Sequence, residues 1–423
     1  MKEDGIINKT NPLPNTGSFL MTEDCNLACK YCFEHHKKNR MTPEVIERAL
    51  IYFYENAKVQ NKNEVNITVF GGEPLLEPDL IRILFQRGLE LQEEYLIEFK
   101  AGIITNGTVL NKKVKQLLLD YKDKINMGFQ ISVDGNEEAQ DLCRVTKQGH
   151  GSFHLVAKNI EAFKEIFKDN VGMLHLHGVV SKKTLPLMFE SYKFFREQWD
   201  ISRIWFMPVH EDEWVDSDVI LYKDQLNKIA DYIISNVKDS NSIKDIKNYS
   251  PLNKCFEKRT TVNPPCSAGK TYVTITANGD IYPCHHFYFN DPQETMKIGD
   301  VWSGIEDEKR KPFLEITNND MTCENNCSIF NCYRCLGSNW VKNGDMHEQI
   351  KGYYCEMAHI ENEVILRIRA ELEELNLMEK PKEYSIEESI DLIAQGMKVL
   401  IMEFQDIKAK QDIILEKLGV DVK

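Results

Sequence analysis

The chain has 423 residues, of which 52 are Lys or Arg and 66 are Asp or Glu, so its formal net charge is −14. This acidic balance, without a long basic run, disfavours nucleic-acid binding. The N-terminal segment MKEDGIINKTNPLPN lacks the apolar core of a signal peptide. No stretch approaches the ~18 apolar residues of a membrane span. Taken together, these observations predict a cytoplasmic protein that binds neither nucleic acid nor membrane.

Segments with helical and strand patterns alternate between residues 42 and 209. Thr42 and Pro43 predict the N-cap and first residue of a helix that runs to about Asn56. Strands are predicted at 64–70, 97–104, 127–133, 173–180 and 204–209, and further helices at 78–95, 111–121, 153–167 and 185–199. Strands separated by helices predict βαβ units and a parallel sheet. In such α/β folds the ligand lies at the carboxyl ends of the strands.

The twelve cysteines are unevenly distributed, with three at 25–32, one at 143 and eight between 255 and 355. Thiols in the cytosol are kept reduced, so we do not expect a disulfide framework. Clusters of cysteines in such a protein predict metal binding.

Residues 21–33, MTEDCNLACKYCF, contain the most specific pattern in the chain. Cys25, Cys29 and Cys32 are spaced C-x3-C-x2-C, and Tyr31 precedes the last of them. Cysteine thiolates hold iron–sulfur cubanes, usually four per cluster, whereas structural zinc takes four protein ligands, typically from two C-x2–4-C pairs. Because no fourth cysteine lies nearby in sequence, the pattern predicts a cubane with one iron open to a small molecule. A partial zinc site and three structural thiols are the alternatives.

This spacing resembles the C-x3-C-x-aromatic-C motif of the radical S-adenosylmethionine (SAM) enzymes. The resemblance implies that the open iron binds the amino and carboxylate groups of SAM, and that an electron from the cluster cleaves SAM to a 5′-deoxyadenosyl radical. It implies that Cys25, Cys29 and Cys32 are both metal ligands and catalytic, with Tyr31 in the SAM site. It also implies an α/β fold built on a partial (β/α)6 TIM-type barrel.

The segment Gly71-Gly72-Glu73-Pro74 follows the first predicted strand and resembles the GGEP segment that contacts the SAM amino group in this family. Glycines allow the backbone to approach a ligand closely, and Glu73 can accept a hydrogen bond from an ammonium group. An ordinary turn is the alternative.

Four further residues are assigned to the SAM site by the same resemblance. Ser132 and Asp134, in ISVDG, resemble the strand end that faces the ribose, and Arg144 occupies the place of an arginine that pairs with the SAM carboxylate. Asn106 is expected to lie beside SAM. The alternatives are simple turns at Asn106 and Asp134 and a surface position for Arg144. The neighbouring Cys143 belongs to no motif and is expected to be a buried apolar residue.

The segment TYVTITANGDIYPC predicts two strands joined by a tight turn at Asn278-Gly279. The element Cys266-x12-Gly279-x4-Cys284 resembles the opening of the SPASM domain, an auxiliary iron–sulfur domain of radical SAM peptide-modifying enzymes. The resemblance implies two auxiliary [4Fe-4S] clusters, one on Cys255, Cys266, Cys284 and Cys335 and the other on Cys323, Cys327, Cys332 and Cys355.

The four cysteines from Cys323 to Cys335 are separated by three, four and two residues, whereas the family has two, five and three. This difference affects which thiols are assigned to which cluster. Because all eight cysteines would serve as ligands, no iron would be open, and electron transfer is the expected role. A pair of zinc sites is the alternative.

Three parts are therefore expected: a core barrel at 1–240 with a lead-in at 1–17, an auxiliary-cluster domain at 250–360, and a helical extension at 361–423. Ile360, Val364 and Ile368 recur at helical spacing, and Ser385-x-x-Glu388 forms a capping box before a second helix. These apolar stripes predict core or oligomer packing; a docking surface for a peptide or partner is the alternative.

The resemblance favours a peptide maturase that abstracts hydrogen from a ribosomally made, cysteine-containing peptide and forms a thioether, with a flavodoxin- or ferredoxin-type reductant. With 24 residues before Cys25, we expect no winged-helix leader-binding domain.

A second candidate is a sulfatase-maturing enzyme that makes formylglycine. Those enzymes typically carry an aspartate after the cysteine that ends the hairpin, where this chain has His285, which weakens this candidate. His285 can take up a proton near neutral pH and is the candidate catalytic base; a structural role is the alternative. A non-catalytic iron–sulfur electron carrier is a third candidate, although GGEP and ISVDG would have no use there.

Overall fold

A computed structural model of the protein describes residues 11–209, 212–240, 266–316 and 335–377. The chain divides into two compact units, Met1–Glu371 and Leu372–Lys423. Of the second unit, residues 372–377 are described, and they include the end of a helix. The three-part division expected from the sequence stays a prediction, as does the helix after Ser385, which lies outside the described residues.

Strands and helices alternate between residues 16 and 240. The strands are β1 (Thr16–Thr22), β2 (Glu64–Gly71), β3 (Glu98–Thr105), β4 (Asn126–Ser132), β5 (Leu174–Val180) and β6 (Ile204–Pro208). The helices are α1 (Pro43–Val59), α2 (Pro78–Tyr95), α3 (Lys112–Tyr121), α4 (Glu137–Cys143), α5 (Phe153–Ile166), α6 (Met188–Glu197) and α7 (Asp216–Ser240). Short 3-10 turns lie at Pro74–Leu76, Lys168–Met173 and Leu185–Leu187.

The part of the chain after the barrel, called here the cysteine-rich region, is described at residues 266–316 and 335–377 and contains shorter elements. They are β7 (Tyr272–Ile275), β8 (Asp280–Tyr282), α8 (His285–Asn290), β9 (Gly299–Asp300), β10 (Gly304–Ile305), α9 (Asp307–Leu314), α10 (Leu336–Asn343) and α11 (Tyr353–Glu374). The turn between β7 and β8 contains Gly279 at φ 88°, in the left-handed region that glycine adopts without strain. The predicted hairpin is thereby confirmed.

The ten strands within the described residues form one sheet in the order β10-β9-β8-β7-β1-β2-β3-β4-β5-β6. Strands β1 to β6 pair in parallel, which confirms the predicted parallel sheet and the barrel-like α/β core. Strand β7 also pairs in parallel with β1, and the strands from β7 to β10 are antiparallel. The cysteine-rich region therefore continues the barrel sheet through β1, a connection that the sequence did not reveal.

Strand β1 was not predicted. Its sequence, TGSFLMT, is buried at six of seven positions and so lacks the alternation of a half-buried strand. Helices α4 and α7 were also missed, although the buried apolar positions of α7 at Tyr222, Leu226, Ile229 and Ile233 follow a helical spacing.

The predicted helix starts and apolar faces are confirmed where they are described. The Thr42 side chain caps α1 by accepting a hydrogen bond from the backbone N–H of Val45 at 3.3 Å. Ile360, Val364 and Ile368 of α11 are buried, as core packing predicts. Within the described ranges, no helix is long and apolar enough to cross a membrane.

Gly17 makes room for β1 between its neighbours. A Cβ atom at this position would lie 2.6 Å from Cζ of Phe53 and 2.6 Å from the backbone oxygen of Val273 on β7. Gly128 on β4 is a matched control, since its added Cβ would meet nothing within 4 Å.

We expect Gly17→Ala to lower the thermal unfolding midpoint, with a cost of about 1–3 kcal/mol from overpacking against backbone. Gly128→Ala should leave the midpoint unchanged or raise it, because alanine restricts the unfolded chain more than glycine does. Equal midpoints for the two variants would show that β1 is not tightly held between β7 and α1.

Candidate active site

A cavity of about 330 Å³ opens at the carboxyl ends of the barrel strands. The alternation of strand side chains places one residue in two towards the barrel interior, so each strand contributes to the lining. The strand residues that line the cavity are Ser18, Thr68, Phe70, Gly71, Ile104, Thr105, Gln130, Ser132, His177, Val179, Met207, Pro208 and Tyr272.

The three cysteines of the N-terminal motif line this cavity together. Burial raises the pKa of the Cys25 and Cys32 thiols to about 12, and it raises that of Cys29. The three residues range from buried at Cys25 through half-buried at Cys29 to exposed at Cys32. Their sulfurs are soft donors, and a cationic metal centre would stabilise the thiolate form.

The loop that carries these cysteines is pinned to the segment after α4. The backbone N–H of Ala28 donates to Val145 O at 2.7 Å, and that of Lys30 donates to Cys143 O at 3.0 Å. These two bonds bracket Arg144 on one side and Cys29 on the other, so the two residues lie on adjacent segments, and both line the cavity. The positive charge of Arg144 opposes the rise that burial causes in the pKa of Cys29.

The other two thiols also have nearby donors. Cys25 Sγ accepts a hydrogen bond from the backbone N–H of Leu27 at 3.4 Å, and Nδ2 of Asn106 lies 3.7 Å from it. Nε2 of His36 lies 3.3 Å from Cys32 Sγ. His36 adopts φ 49°, a conformation that is uncommon for a residue with a side chain.

This donor set fits an iron–sulfur cluster. Three cysteine sulfurs with hydrogen-bond donors around them open into one cavity, and hydrogen bonds to sulfur are characteristic of cluster sites. No group of three His, Cys, Asp or Glu residues in the described part of the chain lies close enough to share a single metal ion. The cysteines of a cubane need no such convergence, since each binds a separate iron.

A buried ion pair lies behind the cysteine loop. Arg144 Nε donates to Oδ1 of Asp134 at 2.9 Å, and the hydroxyl of Tyr31 donates to Oδ2 at 2.6 Å. The backbone N–H of Val179 donates to Oδ1 at 3.0 Å, and the guanidinium lies 5.4 Å from the centre of the Tyr31 ring. Arg144 and Tyr31 line the cavity.

Asp134 holds two other residues of the site, and its predicted ribose contact stays a prediction. Its side chain is fully buried and lies outside the cavity lining, because its oxygens are taken up by Arg144, Tyr31 and Val179. Its carboxylate orients two residues that do line the cavity. The interpretation of Arg144 as a surface residue is wrong, since it is 7% exposed.

The GGEP segment packs against the start of the cysteine loop. Gly71 adopts φ 120°, and a Cβ on it would lie 2.1 Å from Thr22 O; one on Gly72 would lie 2.4 Å from Asp24 O. Backbone bonds of 2.9 Å run from Gly72 N to Thr22 O and from Glu73 N to Asp24 O. Both glycines line the cavity, but the close approach that requires them is to this chain rather than to a ligand.

Glu73 is buried beneath the cavity rather than exposed in it. Its carboxylate accepts hydrogen bonds from Leu75 N at 2.9 Å, Thr105 Oγ1 at 2.8 Å and Asn106 N at 2.7 Å. Burial raises its pKa to about 7. Pro74 is likewise buried, at the start of a 3-10 turn. Through its hydrogen bonds Glu73 joins the ends of β2 and β3, and its predicted contact with the SAM amino group stays a prediction.

A wall of aromatic rings joins the cysteine loop to the cysteine-rich region. The ring of Phe33 lies 5.0 Å from that of His286 and 5.9 Å from that of His285, stacked on both. Phe70 lies 5.1 Å from His285. All four line the cavity, and helix α8, which begins at His285, supplies the two imidazoles.

Three residues that line this part of the cavity carry polar atoms without partners. Nδ1 of His285, Nδ1 of His286 and Oε2 of Glu34 are buried and have no hydrogen-bond partner among the described residues. Burial lowers the pKa of His285 to about 3, so the expected titration near neutral pH is not what this environment supports. Burial, followed by Glu23 and Glu73, raises the pKa of Glu34 to about 8. Atoms of this kind are commonly satisfied by a bound ligand or water.

Several cavity residues were missed by sequence reasoning. Phe33 and Glu34 directly follow the cysteine motif, and His286 follows the predicted His285, so proximity to the motifs was an available signal. His177, on β5, had no such signal; burial, followed by the charge of Arg144, lowers its pKa to about 3.

A second group of thiols lies in the cysteine-rich region. Burial raises the pKa of the Cys284 thiol. Cys335 and Cys266 lie close enough to raise it further when they are ionised. Cys284 and Cys335 are the N-cap residues of α8 and α10, where unpaired N–H groups and the helix dipole favour negative charge. Ser338 N donates to Cys335 Sγ at 3.4 Å.

These three thiols fit the predicted first auxiliary cluster. The predicted ligands Cys255, Cys323, Cys327 and Cys332 lie outside the described residues, and Cys355 is partly buried on α11. Cys143 is 3% exposed, with its sulfur 3.4 Å from Ser181 Oγ, which confirms that it is a buried residue.

Two family models match the chain. Residues 19–190 match the radical SAM superfamily, and residues 266–336 match the SPASM iron–sulfur cluster-binding domain. The first range contains Cys25, Cys29, Cys32 and the GGEP segment; the second runs from Cys266 to one residue past Cys335. The chain therefore belongs to the radical SAM enzymes that carry a SPASM domain. As an enzyme it is not a non-catalytic electron carrier, so that candidate is wrong.

Relatives of known name share about a quarter of the sequence. The radical SAM cyclopropyl synthase TigE of Paramaledivibacter caminithermalis is 23% identical, over 79% of this chain and 70% of that protein. The serine-type anaerobic sulfatase-maturating enzyme of Bacteroides thetaiotaomicron is 24% identical, over 79% and 86%. A solved structure of native anSMEcpe with bound AdoMet and Cp18Cys peptide superposes with TM-score 0.64 at 20% identity, over 86% of this chain and all of that one. This last similarity shows a shared fold.

Proposed function

We propose that this radical SAM enzyme modifies a ribosomally made, cysteine-containing peptide and that the bond it forms is a thioether. The observation that carries the proposal is a single cavity bounded on one side by Cys25, Cys29 and Cys32 and on the other by the aromatic wall of the cysteine-rich region. A substrate in this cavity would lie between the two groups of thiols.

Different residues of this chain would bind the cluster, contact SAM and orient the contacting residues. Cys25, Cys29 and Cys32 would bind three irons of a [4Fe-4S] cluster and leave the fourth for SAM. Contacts to SAM would come from Tyr31, Gly71, Gly72, Asn106, Ser132 and Arg144, all of which line the cavity. Glu73, Pro74 and Asp134 would orient them from beneath.

We infer three clusters in all, the two auxiliary ones held by Cys255, Cys266, Cys284 and Cys335 and by Cys323, Cys327, Cys332 and Cys355. When bound, these groups supply an electron that cleaves SAM to a 5′-deoxyadenosyl radical and an acceptor for the electron that the substrate later loses. A flavodoxin- or ferredoxin-type protein would provide the first electron, in the cytoplasm.

His285 would receive the proton that the substrate loses. Burial lowers its pKa to about 3, so its imidazole is neutral but a weak base, and proton transfer to it would require a bound group that stabilises the imidazolium. Nδ1, which has no partner among the described residues, is the atom available for such a contact. Phe33 and Phe70 pack beside it and would exclude water, which protects a carbon radical from side reactions.

Formylglycine formation on a sulfatase is the second candidate. It is favoured by the similarity to the sulfatase-maturating enzyme of B. thetaiotaomicron and by the neighbouring anSMEcpe fold with its bound peptide. The two outcomes differ in the fate of sulfur, which a thioether retains and formylglycine loses when it is made from cysteine.

The number of clusters can be counted by iron analysis of anaerobically reconstituted protein. We expect about twelve irons per chain, as three cubanes require, and roughly eight in a Cys25→Ala/Cys29→Ala/Cys32→Ala variant. Cys143→Ala removes a buried thiol outside the proposed ligand set and should keep the wild-type content. Zinc in place of iron, or an unchanged iron content in the triple variant, would refute the cluster assignment.

The product can be read by mass spectrometry of cysteine-containing peptides encoded beside this chain's gene. After reaction with SAM and reductant, a thioether product should lack two hydrogens, keep its sulfur and resist thiol alkylation. We expect His285→Gln to form deoxyadenosine but little of this product, because no neutral imidazole takes the proton. A peptide that has lost sulfur and gained a hydrazine-reactive aldehyde would establish the second candidate instead.

A further inference from the structure

Arg144 differs from the other donors around the proposed cluster ligands. Leu27 and Asn106 approach Cys25 with neutral N–H groups, and His36 approaches Cys32 with an imidazole. Arg144 lines the cavity together with Cys29, on a segment bonded to the loop of Cys29, and it carries a positive charge at all physiological pH values. Arg144 is only 7% exposed to solvent, so little water screens its charge.

Two sets of contacts hold this charge in place. The backbone bonds Ala28 N to Val145 O and Lys30 N to Cys143 O keep the loop of Cys29 against the backbone of Arg144. The Asp134 carboxylate, which also accepts hydrogen bonds from Tyr31 and Val179, holds the guanidinium through its own bond to Arg144 Nε. A half-buried thiol thus lies near a buried cation that is paired with a buried anion.

The order of these charges has an electrochemical consequence. Reduction adds negative charge to an iron–sulfur cluster, so a nearby cation favours the reduced form and raises the reduction potential. An anion behind that cation cancels part of its effect, and in a poorly hydrated site both contributions are larger than in water. Arg144 and Asp134 should therefore act on the potential with opposite signs.

We propose that Arg144, acting through Cys29, raises the reduction potential of the SAM-binding cluster, and that Asp134 limits how far it is raised. Both are positioning residues in this respect. Arg144 acts on the cluster in addition to its proposed contact with SAM, and Asp134 acts through Arg144. The inference rests on the proposed function, in which Cys29 is a cluster ligand.

The test is an anaerobic redox titration followed by electron paramagnetic resonance, on reconstituted full-length protein without SAM. Subtracting the spectrum of the Cys25→Ala/Cys29→Ala/Cys32→Ala variant isolates the signal of the SAM-binding cluster. We expect Arg144→Gln to make reduction at least about tenfold less favourable, a fall of about 59 mV in a one-electron midpoint. Asp134→Asn, which keeps the size of the side chain, should raise the midpoint, and Arg144→Lys should fall between wild type and Arg144→Gln.

Lys147→Gln is the matched control. Lys147 pairs with Asp24 at 2.8 Å beside the same loop, but it is 46% exposed, so solvent and salt screen its charge. Its removal makes the same change in net charge as Arg144→Gln and should leave the midpoint unchanged.

Opposite shifts for Arg144→Gln and Asp134→Asn would support the proposal, because mere loss of structure moves both variants the same way. Shifts of the same sign, or no shift in Arg144→Gln, would overturn it. If Arg144→Gln fails to bind iron, Asp134→Asn decides: a raised midpoint supports the proposal and an unchanged one refutes it. Failure of the proposed function appears separately, as a wild-type protein whose spectrum does not change in the triple cysteine variant.

Discussion

The parallel pairing of β1 with β7 is the constraint on which the rest of the structure depends. Strand β1 leads directly into the cysteine loop, and β7 leads through β8 to Cys284 and helix α8. Because the two strands are neighbours, the N-terminal thiols and the imidazoles of α8 meet across one cavity. Gly17 allows this contact, since any larger residue would collide with Val273.

Buried polar groups do most of the positioning within this frame. Glu73 ties the ends of β2 and β3 together, and Asp134 ties Tyr31 to Arg144. A buried carboxylate is costly unless its oxygens are satisfied by hydrogen bonds, and each of these accepts three. Among the residues that line the cavity, Glu34 and the two histidines each carry a buried polar atom without a partner in the described part of the chain.

Local sequence patterns were enough to predict much of the fold and of the candidate site. The cysteine spacing, GGEP and the alternation of strands and helices identified the class, the parallel sheet and the residues around the cavity. What they could not show is how buried groups connect the elements around the cavity. The hydrogen-bond partners of Glu73 and Asp134 come from distant segments that sequence spacing does not connect. The β1–β7 pairing joins positions about 256 residues apart, such as Ser18 and Thr274, and no local pattern encodes such a contact.

The central claim is that Cys25, Cys29 and Cys32 hold a cluster whose remaining iron binds SAM. The most direct measurement is the electron paramagnetic resonance spectrum of the reduced, anaerobically reconstituted protein before and after SAM is added. The account predicts that SAM alters the signal that these cysteines contribute, and that deoxyadenosine accumulates in the same sample. A spectrum that SAM leaves unchanged, with all clusters assembled, would contradict it.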